Sequence, residues 1–102
     1  MVRGAAKLKE LEFENYLLAD EKIISKSKAV RSRMNKARMI ERHFNETLDN
    51  IVADDDKTYT TLLRIKAEMK DTNGTISNAL RKYYLFINGR AFPALSEYEN
   101  GR

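Results

Sequence analysis

The chain has 102 residues, 42% hydrophobic and 33% charged, with one proline, four glycines and no cysteine. That is enough for a single domain with one modest core, and it excludes a disulfide framework and thiolate chemistry. No apolar run approaches the roughly 18 residues that span a bilayer, and Lys7, Lys9, Glu10, Glu12 and Glu14 interrupt any signal-peptide core, so a reducing cytoplasm is the expected setting.

Few breakers favour helices. The first helix is predicted over Ala5 to Ala19, a stretch rich in Leu, Glu and Lys. Phe13, Tyr16 and Leu17 share its core side, and Leu8, Leu11 and Leu18 share another that is open to a partner.

Ser25 or Ser27 is the expected cap of a long second helix, which the pattern carries to between Leu48 and Ile51. Val30, Met34, Ala37, Phe44 and Leu48 recur at steps that place them on one face. Lys28, Arg31, Asn35, Arg38 and Arg42 form a second stripe within about 80° of arc, roughly a quarter-turn or more from the first. Between Lys22 and Arg42 there are eight Lys/Arg and one acid, Glu41. His43, the only histidine, is expected to pack rather than to catalyse.

Asp54, Asp55 and Asp56 suit the start of a third helix, Lys57 to Lys70, because carboxylates complement the unpaired N–H groups there. Three successive side chains cannot all point at one ion, so no metal is expected. Asn73 and Gly74 make a turn, Thr75 is the expected cap, and a fourth helix runs from Ile76 to Asn88, stopped by Gly89. Ile76, Leu80, Tyr83 and Ile87 face inward, leaving Ser77, Asn78, Arg81 and Lys82 outward. Leu62 completes the expected core, and Phe92, Leu95 and Tyr98 fold a short C-terminal extension, residues 89–102, back onto the bundle.

The charge is concentrated: residues 22–42 carry +7 and 57–90 carry +5, with −5 between them over 43–56. Such a field is aimed at an anionic partner. Arg and Lys neutralise phosphates, Arg and Asn read base edges, and the major groove admits one helix. The expected reading is an all-α bundle of four main helices, one domain over residues 1–102, that grips double-stranded DNA. Its contacts would be Lys26, Lys28, Arg31, Asn35, Arg38 and Arg42 from the long helix, with Ser77, Asn78, Arg81 and Lys82 from the fourth. There is no phosphate-binding glycine motif and no Ser-His-Asp grouping, so no catalytic residue and no cofactor are expected. The competing reading is a small protein–protein adaptor whose basic face meets an acidic protein.

The order of elements, from Phe13-Glu14-Asn15-Tyr16-Leu17 to Gly74-Thr75-Ile76-Ser77-Asn78-Ala79-Leu80-Arg81-Lys82-Tyr83, resembles the N-terminal core-binding (SAM-like) domain of phage integrases, the tyrosine recombinases. The resemblance covers about residues 8–88. It implies site-specific recombination on a mobile element, with this domain holding one side of the duplex and a separate C-terminal domain exchanging strands. Two positions depart from the family pattern: Lys28 stands where threonine is frequent, and His43-Phe44-Asn45-Glu46 has Glu46 where the catalytic set needs arginine. The resemblance therefore implies a non-catalytic piece, either a domain of a larger recombinase or a small protein with the grip alone. A catalytic domain or a second protomer is its implied partner.

Overall fold

The computed structural model describes residues 10–19, 26–71 and 73–101. The expected helix start at Ala5, the contact at Leu8, the charge of Lys22 and the cap at Ser25 lie outside them, as do the side chains of Lys26 and Ser27. Six helices and no strand occur among the described residues: α1 Glu10–Leu18, α2 Lys26–Phe44, α3 Leu48–Val52, α4 Asp55–Glu68, α5 Thr75–Asn88 and α6 Leu95–Asn100. The fold is all-α, with a radius of gyration of 13.3 Å, against about 13 Å for a compact chain of this length.

The predicted long helix is two helices. Asn45 takes φ +53°, and the Glu46 N–H bonds back to the Glu41 carbonyl at 3.2 Å, which is a Schellman ending with asparagine in the glycine's usual place. Chain direction changes there, and Thr47 caps α3 by accepting from the Asn50 N–H. The Glu41 carboxylate accepts from the Leu48 N–H at 2.9 Å, so the lone acid of the basic helix pins α3 to α2. Leu48 is still buried, but from the next helix, and Phe44 is only half-buried. The regular spacing of Phe44 and Leu48 hid the break because the turn between them happens to return Leu48 to the core.

Asp54 caps α4, accepting from the Lys57 N–H at 3.2 Å, as the acidic run predicts. Thr75 does not cap α5. Gly74, at φ +74°, is the cap residue and offers no side chain. Asp71 takes over: its Oδ1 accepts from the Ile76 N–H at 2.9 Å, and its Oδ2 from the Ser77 N–H at 2.9 Å and the Ser77 hydroxyl at 2.6 Å. Burial alone would raise the Asp71 carboxyl, but the Ser77 hydroxyl, the two amides and the charge of Lys66 outweigh it and hold it below its ordinary range. A depressed carboxyl stabilises the fold above its unfolded value near pH 4 and stops doing so as pH falls through the lower folded value. Asp71→Ala should therefore lower stability at pH 7 by about 0.5–2 kcal/mol. Denaturant melts from pH 7 down to pH 3 should show the gap between variant and wild type closing, and a gap independent of pH would mean the carboxylate charge plays no part.

The core is assembled around α5, which contacts α1, α2, α3 and α4. Its buried Ile76, Ser77, Ala79, Leu80, Tyr83 and Tyr84 occupy about 160° of its circumference, wider than a surface helix needs. Phe13 and Leu17 from α1, Val30, Met34, Ala37 and Ile40 from α2, Leu48, Ile51 and Val52 from α3, and Tyr59, Leu62 and Ile65 from α4 close around it. Tyr16, Phe44 and Ile87, expected in the core, lie partly buried at its edge. The C-terminal extension folds back as predicted, with Phe92 buried and Leu95 and Tyr98 packed beside it.

The acidic block does more than start helices. Four tyrosines donate to four carboxylates: Tyr83 to Asp49, Tyr84 to Asp55 at 2.7 Å, Tyr98 to Asp56, and Tyr59 to Glu99. Asp54, Asp55 and Asp56 thus face three different partners, and no group of three metal-ligating side chains lies together among the described residues.

Candidate nucleic-acid interface

α2 holds seven Lys/Arg and one acid in 19 residues, about 28 Å of helix. Lys28, Arg31, Asn35 and Arg42 are exposed, and Arg38 is half-buried. Arg38 Nη1 donates to Asn35 Oδ1 at 3.0 Å, so these two are held as a pair. The stripe runs from Lys28 to Arg42, about 21 Å along the axis. Its only intrahelical acid, Glu41, is turned to the α3 backbone. The outer face of α2 therefore presents cations and amides without a carboxylate of its own helix. The apolar stripe on the other side explains why: Val30, Met34 and Ala37 are buried against α5 and α1, which forces the polar stripe outward.

The residues expected from the fourth helix are placed differently. Ser77 is buried and bonded to Asp71, so it is not an outward contact. Arg81 is half-buried: its Nη1 donates to the Phe92 carbonyl at 2.9 Å and the Pro93 carbonyl at 3.1 Å, with its guanidinium 5.8 Å from the centre of the Phe92 ring. It ties the C-terminal extension to α5 instead of facing solvent freely. Asn78 is exposed and Lys82 half-buried.

Nor do the two basic helices present one surface. Asn78 and Lys82 lie against the flank of α2 that carries Ala29, Ser32, Arg33 and Lys36. By helical geometry that flank is about 130° around α2 from the stripe. A two-helix clamp built from the stripe and the start of α5 is therefore not what the packing forms. There are instead two cationic regions, an outer face on α2 and a groove between α2 and α5. Sequence reasoning missed Arg33 and Lys36 as site residues. The signal was present, since Ala29, Ser32, Arg33 and Lys36 share a side at helical spacing, but which helix covers that side is a tertiary fact.

Away from these regions, His43 is exposed and its Nε2 lies 2.9 Å from Glu68 Oε1. Arg64 also binds Glu68, at 2.7 Å, and stands 4.9 Å from the centre of the Phe44 ring. Hydrogen bonds from Arg64 and then His43 hold the Glu68 carboxyl below its usual range. This cluster joins the end of α2 to α4.

No family model, curated protein or solved structure matches this chain.

Proposed function

We propose that the protein binds duplex DNA through the outer face of α2, as a non-catalytic grip of the kind used by recombinase core-binding domains. The observation that carries this reading is the exposed run of Lys28, Arg31, Asn35 and Arg42, with Arg38 beside Asn35, on a helix whose single acid is directed elsewhere. A helix about 10–12 Å across enters a major groove about 12 Å wide. The arginines and lysine reach the flanking phosphates, and the Asn35–Arg38 pair is positioned for base edges. Because α5 is committed to the core and to the opposite groove, α2 makes the grip alone. Strand exchange, in this reading, belongs to another domain or protomer, and the purified chain cleaves and ligates nothing.

The test is fluorescence anisotropy with a duplex oligonucleotide from low to moderate salt. Four or five phosphate contacts give a log–log slope of about −4, at roughly −0.9 per contact. A flat salt response, or no binding at low salt, would remove DNA from the reading. The adaptor reading would then lead, with Leu11, 71% exposed on α1, as the apolar anchor for a partner helix.

A further inference from the structure

The groove between α2 and α5 contains two adjoining cavities. One, of about 140 Å³, is lined by Ala29, Ser32, Arg33, Lys36, Thr75 and Asn78. The other, of about 300 Å³, shares Arg33 and Asn78 and adds Arg81, Lys82, Leu85, Ala91 and Phe92. Among the described residues no carboxylate lines either cavity.

Two of these cations are poorly compensated. Arg33 is half-buried, its Nε is buried with no acceptor, and it makes no ion pair among the described residues. A buried donor without a partner costs about 1–3 kcal/mol. Arg81 is half-buried on two neutral carbonyl oxygens and a ring face, with no acid partner among the described residues. Burial lowers its pKa from the ordinary arginine value, as expected for a charge that lacks a counter-ion. Partly buried charges are ordinarily paired. Here two guanidiniums border the same cavity, and among the described residues neither has an acid partner.

We infer that this groove is a binding site for a phosphate monoester carried on an apolar body, with a mononucleotide as the class of ligand that matches both cavities. Arg33, Lys36 and the Ser32 and Thr75 hydroxyls surround the smaller cavity, where a dianionic phosphate gains charge-assisted bonds. Arg33 can turn its Nε and one Nη onto two phosphate oxygens, which gives the orphaned donor its acceptor. The larger cavity has Leu85 and Ala91 on its wall for the nucleoside, and Asn78 at the junction can bond a base edge or a sugar hydroxyl. Its volume sits at the lower end of the roughly 300–1,000 Å³ typical of small-ligand pockets. The phosphate can come from a free nucleotide or from the terminal phosphate of a nucleic-acid strand. The site lies on the opposite flank of α2 from the stripe and does not depend on DNA binding by that stripe.

The experiment is an NMR titration of the full chain with adenosine 5′-monophosphate, with adenosine and inorganic phosphate as controls. A 5′-phosphorylated and a 5′-hydroxyl oligonucleotide then compete against the nucleotide. The expected result is saturable shifts at the Asn78 side-chain amide and the Ala91 backbone amide, with a Kd below about 1 mM. Adenosine should bind at least tenfold more weakly. Arg33→Gln should cost at least tenfold in nucleotide affinity while the melting temperature stays level. Lys36→Gln gives a second reading should Arg33→Gln fold poorly. Competition by the 5′-phosphorylated strand alone identifies a strand end as the source, and its absence identifies a free nucleotide. Equal affinity for nucleotide and adenosine, shifts spread along α2, or nucleotide binding unchanged in both variants would overturn the site. Arg31→Ala with Arg38→Ala should leave nucleotide binding unchanged, which separates failure of this site from failure of DNA binding.

Discussion

Tyr83→Ala is expected to remove most of the stability of this protein. Tyr83 is fully buried on α5, the helix that contacts four others. Its ring meets Phe13 edge-on at 5.0 Å and Phe86 at 5.6 Å, and its hydroxyl donates to Asp49 at the start of α3. Truncating a buried aromatic costs about 3–5 kcal/mol, close to the entire stability of many small domains. At about 4–8 °C per kcal/mol, a thermal melt should fall by well over ten degrees. Tyr83→Phe keeps the ring and should lose less, about 1.5–3 kcal/mol, the value of a hydrogen bond to a charged group. Phe44→Ala is a useful contrast. The sequence pattern puts Phe44 in the core, where the same 3–5 kcal/mol would apply. In the structure it is half-buried at the end of α2 beside His43 and Arg64, so about 1–2 kcal/mol is expected. Circular dichroism melts of the three variants check the ranking. A Phe44→Ala melt as damaged as Tyr83→Ala would mean that the end of α2 is packed more tightly than described.

The largest effect on binding is expected from Arg31→Ala combined with Arg38→Ala. The two arginines are seven residues apart, two turns or about 10 Å along α2, and reach the same groove together. Removing two phosphate contacts should flatten the log–log salt slope by about two units. Affinity should fall for every duplex, because phosphate contacts carry no sequence information. Arg38 also holds Asn35, so any base preference should weaken as well. Arg31 is exposed and Arg38 half-buried at the surface, so the melting temperature should move little. Replacing Asp49 and Asp54 is not an equivalent control, since Asp49 accepts from Tyr83 and Asp54 caps α4. Anisotropy titrations at several salt concentrations, run beside melts, decide the matter. Equal slopes for wild type and variant would leave the stripe merely solvated.

The four main helices, most of the core and the outward stripe of α2 were legible in the sequence because each depends on local periodicity. Val30, Met34 and Ala37 had to be buried once a helix formed, and Arg31, Asn35 and Arg42 then had to be outside. The acid run at Asp54 and the glycine at position 89 were equally local, one capping α4 and the other ending α5 at φ +75°. Tertiary structure decided what periodicity cannot express. A left-handed asparagine at position 45 broke the long helix while preserving the spacing of its apolar residues. Asp71, four residues before the first residue of the helix it caps, reached past Thr75 to take the free N–H groups. Arg81 turned from an outward cation into a strap on the Phe92 and Pro93 carbonyls because the extension folded over it. Most consequential, packing set α5 against one flank of α2, so the two basic segments met at Arg33 and Asn78 and not at the stripe. A helix dictates which of its residues share a side, but the neighbour that covers that side is chosen by the sum of long-range contacts, and no window of sequence contains that sum.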